Sequence, residues 1–196
     1  MVYRRRDPKD IIEEIAIIQN DLKYKNLIII DDDLQLKSKF TKKILSLKIK
    51  EGLDIPFWVL TRADHVDEEG VRLMRLANGT GFIIGLESIV PRIINMYKKV
   101  SGDFHKWHQT LDYAFDLANK YNLITIASFI IGAPSETAKE IQATVDYCRT
   151  AKMDMVTVNP FRFAYKSDLW KEAVRKGYLK SDQYDTFNDK IYGTTE

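Results

Sequence analysis

Gly81-Phe82-Ile83-Ile84-Gly85-Leu86-Glu87-Ser88 is the stretch that decides the fold. Its first part is too apolar to face water and too short for a buried helix, so it reads as an inner strand. Uninterrupted apolar runs of this kind belong to parallel sheets covered by helices. A carboxylate and a hydroxyl arrive together at its C-terminal tip, where α/β folds collect their ligands. Two further stretches repeat the plan. Leu27 to Asp33 ends in three aspartates, and Ile124 to Gly132 runs into Ala133-Pro134-Ser135-Glu136-Thr137. Three strands delivering polar groups to one rim predict a site there.

Upstream of this strand, Asp67-Glu68-Glu69 put negative charge on a helix N-terminus, where the dipole favours it. Val71, Met74 and Ala77 form that helix's inner face, and Asn78-Gly79 closes it. Ile55 to Leu60 reads as a strand ending in Thr61-Arg62. Phe40, Ile44 and Leu47 mark a helix that Gly52 ends. Asp7-Pro8 opens the first helix, Asp as cap and Pro at the first helical position. Ile11, Ile12, Ile15, Ile18 and Leu22 recur there at helical spacing and predict one buried face. Downstream, Pro91 starts a short helix running to about Lys98. The helix after Gly102 buries Trp107, Leu111, Ala114, Phe115 and Ala118. A strand from Leu123 to Ile131 follows, then a helix capped by Ser135 with Ile141, Val145 and Cys148 inward. Met155 to Val158 make a last short strand before Asn159-Pro160, and Leu169, Ala173 and Val174 a final helix.

Helix and strand thus alternate five times before the last helix, which implies a parallel sheet with right-handed crossovers. Five strands are too few to close an eight-stranded barrel. The expected class is α/β: a partial TIM-like (β/α)6 barrel over residues 1–180, here five parallel strands with the first strand missing. Residues 181–196 read as a polar tail.

The 196 residues can bury one substantial core, and 30% charged with 45% hydrophobic residues is ordinary for a globular chain. A net charge of +2 argues for neither a nucleic-acid nor a membrane partner. Arg4-Arg5-Arg6 reads as a solvated arm. No apolar run approaches the ~20 residues of a membrane span, and nothing resembles a signal peptide, so a cytoplasmic protein is expected. Cys148 is the only cysteine, so this sequence supplies neither a disulfide nor the thiolates of a cluster or zinc site. His65, His105 and His108 lack ligand spacing and read as surface residues. No metal site is expected.

Five segments, in order, resemble the radical S-adenosylmethionine (SAM) superfamily. They are Tyr3-Arg4-Arg5-Arg6-Asp7-Pro8 with Ile11-Ile12-Glu13-Glu14-Ile15, Ile30-Asp31-Asp32-Asp33-Leu34, and Trp58-Val59-Leu60-Thr61-Arg62-Ala63-Asp64. Gly85-Leu86-Glu87-Ser88 and Phe129-Ile130-Ile131-Gly132-Ala133-Pro134-Ser135-Glu136-Thr137 complete the set. The branch resembled stands behind cobalamin-binding domains and includes anaerobic magnesium-protoporphyrin ester cyclase-like proteins. The resemblance implies a partial barrel in which a CxxxCxxC loop holds a [4Fe–4S] cluster, SAM chelates the fourth iron, and one electron releases a 5′-deoxyadenosyl radical. That motif is absent here, so the resemblance implies a fragment of a longer polypeptide, inactive by itself.

The same resemblance assigns residues. Asp31 and Asp32 would hold the ammonium of SAM's methionine, with Asp33 adding charge where the family has Thr or Asn. Glu87 would reach the ribose hydroxyls or the methionine end, with Ser88 beside it. Arg62 would meet a carboxylate of SAM or substrate, or else pair with one of the aspartates. Ser128, Ile130 and Gly132 would pack adenine, and Asn159 matches the end of the sixth family strand. The intact protein would use SAM, a [4Fe–4S] cluster and cobalamin on a small-molecule substrate, with an electron donor, for methyl transfer or cyclisation. Two rival readings are a degenerate SAM-binding or interaction domain without chemistry, and a divalent-metal hydrolase gathering its ion on Asp31, Asp32, Asp33 and Glu87.

Overall fold

A computed structural model describes residues 5–98 and 104–179. Arg4, Gly102 and the expected tail at 181–196 lie outside the described residues. The first helix, α1 (Pro8–Ala16), is capped by Asp7, whose carboxylate accepts the Lys9 N–H at 2.8 Å. Ile12 and Ile15 are buried, but Leu22 is 58% exposed, contrary to the expected single face. The cause is local: the chain widens into one π-helical turn over Ile17–Asp21, with Leu22 N–H donating to Ile17 O. That turn rotates Leu22 off the stripe.

Strand β1 (Leu27–Ile29) is shorter than expected and stops before the aspartates. Consecutive carboxylates repel one another, hold water and fit a pleated surface poorly, so Asp31 to Asp33 form a loop. Then come α2 (Lys39–Lys50), β2 (Phe57–Thr61), a 3-10 turn at Ala63–His65, α3 (Glu68–Leu76) and β3 (Gly79–Glu87). The chain continues with α4 (Pro91–Met96), α5 (Phe104–Lys120), β4 (Ile124–Ile131), α6 (Ala138–Thr150), β5 (Met155–Pro160) and α7 (Asp168–Arg175).

The strands form one five-stranded sheet in the order β1-β2-β3-β4-β5, with parallel pairing from β1 through β4. Sequential order without reversal is that of a barrel wall laid open, as expected. Phe57, Val59, Phe82, Ile84, Leu86, Ala127 and Phe129 point to one side, where they are buried against α3 and α5. The opposite side carries half-buried Trp58, Leu60, Ile83, Ile126, Ser128 and Ile130. Gly81 is required by close approach: a Cβ there would stand 2.1 Å from the Ile124 carbonyl and 2.8 Å from the Trp58 ring. No helix among the described residues is long and apolar enough to cross a membrane.

Three expectations need correction. The cap of α6 is Thr137, not Ser135; its hydroxyl accepts Glu140 N–H while the Glu140 carboxylate accepts Thr137 N–H. On α6 the fully buried position is Thr144, 4% exposed; Cys148 packs half-buried against the core as expected, but Val145 is 39% exposed. Thr144 faces the Ser88 hydroxyl at 3.5 Å, so a polar contact took the place read as apolar. His108 is not a surface histidine: its ring lies between Phe104 and Tyr147, centroids 4.8 and 5.3 Å away, with Nε2 buried.

Compactness divides the chain into two units, Met1–Asn159 and Pro160–Glu196. Within the second, α7 is capped by Ser167 and buries Trp170 and Ala173 with Leu179.

Candidate functional site

Because β1 to β4 run parallel, their C-terminal ends share one edge, and the loops beyond them collect charge. After β1, Asp31 and Asp32 are exposed and make no hydrogen bond or ion pair with any described residue. With Arg5, Arg6, Asp33, Gln35 and Ser38 they line a depression of about 390 Å³. Asp33 also ties two loops. Its Oδ1 accepts the backbone N–H of Arg62 at 3.2 Å, and its Oδ2 lies 2.6 Å from His65 Nδ1.

After β2, the Arg62 guanidinium holds both oxygens of Asp64, each at 2.9 Å. These bonds raise the Arg62 pKa against burial, helped by the charges of Asp64, Asp33 and Glu87. Burial pushes the Asp64 carboxyl up, but the Arg62 bonds and charge outweigh it and leave the pKa below its ordinary 3.8. Asp64, an aspartate not singled out in the sequence, thus takes both ends of the guanidinium fork, while Asp33 meets the Arg62 backbone.

At the end of β3 the pairing slips: Gly85 faces Ser128 but Glu87 faces Phe129, leaving Leu86 extra. The bulge bends the strand end, and Glu87 takes φ +65°, uncommon for a side chain with a Cβ. Such strain persists where surrounding structure enforces it, and it collects at functional sites. Ser88 departs from its expected place. It is fully buried, its hydroxyl accepts Val90 N–H at 3.1 Å and faces Thr144, and it holds the turn beneath the rim.

On the open side of β4, Ser128 accepts a hydrogen bond from the Asn159 amide at 3.0 Å, and Ile130 is half-buried. Gly132 has φ +82° and open space where a Cβ would stand. The Gly132 and Ala133 N–H groups both donate to Glu136 Oε2, at 2.7 and 3.1 Å. The structure thus links Asp33, Arg62, Asp64 and His65 directly, with Glu87 in electrostatic reach, and joins Ser128 to Asn159 farther along the edge. Sequence reasoning missed Asp64, His65 and Glu136. Asp64 and Glu136 lay inside quoted motifs; the partner of His65 was visible only in three dimensions.

Residues 2–148 match the family model of the radical SAM superfamily. The chain belongs to that superfamily. It is 29% identical over 90% of its length to an uncharacterised methyltransferase of Pyrococcus horikoshii, of which it spans 38%. It is 27% identical over 87% of its length to the anaerobic magnesium-protoporphyrin IX monomethyl ester cyclase of Rubrivivax gelatinosus, of which it spans 30%. Among solved structures it resembles the radical SAM methyltransferase TsrM of Kitasatospora setae, with cobalamin and a [4Fe–4S] cluster bound. The TM-score is 0.76 at 16% identity, covering 88% of this chain and 34% of that one. Coproporphyrinogen III oxidase of Escherichia coli gives 0.67 at 12% identity, covering 96% of this chain and 46% of that one. The last two establish the partial-barrel fold.

The residues of this radical SAM chain do not fit an iron–sulfur cluster. Cys148 sits on α6, half-buried, with burial raising its thiol pKa and so opposing the thiolate. No three metal-ligating side chains gather anywhere among the described residues, and this also separates Asp31, Asp32, Asp33 and Glu87 as ligands of one ion. SAM is different. Carboxylates that no described residue pairs with, a guanidinium and a bare glycine along one edge suit its ammonium, carboxylate and adenosine.

Proposed function

We propose that this chain forms the SAM-binding wall of a radical SAM enzyme. One observation carries the reading: the aligned ends of four parallel strands present Asp31 and Asp32, which pair with no described residue, Arg62 in the field of Asp33 and Glu87, and Gly132 without a side chain. Asp31 and Asp32 accept N–H bonds from the ammonium of SAM, charge-assisted contacts roughly twice as strong as neutral ones. Glu87, at the bulged end of β3, turns its carboxylate to the ribose hydroxyls, which a carboxylate can accept from. Arg62 meets the SAM carboxylate, sharing its guanidinium with Asp64. Ser128, steadied by Asn159, and Ile130 with Gly132 flank adenine, while Ser88 keeps the Glu87 turn in shape.

The superfamily's chemistry, reductive cleavage of SAM to a 5′-deoxyadenosyl radical, requires a cluster whose ligands these residues do not supply. The chain's own part is to bind and orient SAM. For the whole enzyme, the names of the relatives support methyl transfer or cyclisation of a small molecule, and the TsrM likeness is what supports cobalamin. An electron donor is the partner that chemistry needs.

Titration calorimetry of the purified chain with SAM tests the reading. Saturable binding is expected, weakened at least ~10-fold, about 1.4 kcal/mol, by Glu87→Ala or by Asp31→Asn with Asp32→Asn. No saturable heat at millimolar SAM would sink it.

A further inference from the structure

We propose that Arg92 is a positioning residue for the adenosine half of the ligand, acting through the loop between β4 and α6. The inference rests on the SAM-binding reading and deepens it. Arg92 stands on α4, the helix that follows the Glu87-Ser88 turn. Its Nε and Nη2 donate to Glu140 at 3.1, 3.0 and 2.8 Å. Its Nη1 donates to the Ser135 hydroxyl at 2.8 Å and its Nη2 to the Ser135 carbonyl at 2.9 Å. One planar fork therefore fastens the end of β3 to the loop that leaves β4.

That loop needs fastening. Gly132 and Ser135 sit at φ +82° and +62°, and for Ser135 the conformation is strained. Gly132, Ser135 and Thr137 are exposed, Pro134 and Glu136 half-buried, and Ala133 is the loop's buried point. Two carboxylates and one guanidinium hold it. Glu136 collects the Gly132 and Ala133 N–H groups, and Glu140 collects Thr137 N–H and its hydroxyl together with Arg92. The Arg92 hydrogen bonds and those from Thr137 hold the Glu140 pKa down to about 2, so the clamp stays charged at any working pH. An ordinary surface pair contributes little. This one differs because a guanidinium can reach a carboxylate, a hydroxyl and a carbonyl at once, which an ammonium on a flexible stem cannot. A loop set in advance loses less freedom when adenosine arrives at Ile130 and Gly132.

Arg92→Lys and Arg92→Ala, titrated with SAM and with 5′-methylthioadenosine, test the proposal. Both ligands should weaken by the same factor, roughly tenfold, with the melting temperature nearly unchanged. Lysine should not rescue alanine, and amide exchange at Glu136, whose N–H donates to the Ala133 carbonyl at 2.9 Å, should quicken in both variants. Weakening of SAM alone, unchanged affinities, unchanged exchange, or a loss that tracks a lowered melting temperature would each overturn it. Native protein that binds neither ligand would defeat the SAM-site reading itself, and this inference with it.

Discussion

Lys48 carries its ammonium into the end of the molecule opposite the charged rim. It is 2% exposed and donates to the carbonyls of Leu53, Ile55 and Ala77 at 2.7, 2.9 and 2.8 Å. Burial pushes its pKa down from 10.5 to about 8, with the Asp54 charge opposing. Between those values the unfolded chain holds a proton that the folded chain has shed. Stability therefore rises with pH across that window and is lost as pH falls through about 8. Urea unfolding at several pH values should show native protein gaining on Lys48→Met from pH 8 to 10, by about 2 kcal/mol. A difference flat in pH would contradict the depressed pKa. Nothing in the sequence around Lys48 announced this, because its three acceptors come from a loop and from the end of α3. Asp31, Asp32 and Glu87 were legible as a rim because strand ends can be read locally. The pairing of Arg62 with Asp64 and of Asp33 with His65 was not, since several acidic neighbours competed and only loop geometry selects among them.

At the scale of elements, period and punctuation predicted which segments are helix or strand, and capping geometry set where they begin. Ser135 and Thr137 are both good caps, and only Thr137 has an acidic residue three positions on to complete a reciprocal pair. Thr137→Ala should cost about 1 kcal/mol of stability, measured by chemical denaturation, with Ser135→Ala costing less. The reverse order would restore Ser135 as the cap. In β3 the deciding residue is small for a steric reason. Gly81→Ala would drive a methyl into the Ile124 carbonyl, and backbone cannot yield as a flexible side chain can. A loss of about 1–3 kcal/mol, or failure to fold, is expected. Calorimetric melting within a degree of native would show that the strands can part there. The bulge after Gly85 was illegible, because register slips depend on the neighbouring strand and not on the bulged one.

For the whole molecule, the alternation of segments was enough to give five parallel strands in sequence order, since each crossover must return in the same direction. The break in compactness between Asn159 and Pro160 was not visible, because the strand pattern of Met155 to Val158 runs straight up to it. One consequence belongs to the sheet as a whole. β1 is its edge, only three residues long, and Ile28 and Ile30 beside it are 57% and 81% exposed. Its flank opens into an apolar groove of about 420 Å³ lined by Ile11, Ile15, Ile18, Phe40 and Ile44. Unpaired edges beside apolar surface recruit other strands unless charge or a bulge blunts them, and Ile28 and Ile30 do neither. The isolated chain should therefore self-associate as its concentration rises, and Ile30→Lys should suppress this while leaving the fold intact. Light scattering across a concentration series measures it, with circular dichroism of the variant as control. A native chain that stays monomeric throughout would mean that α1 and the loop after β1 already shield the edge, and that shielding would then have to show as slow amide exchange along Leu27–Ile29.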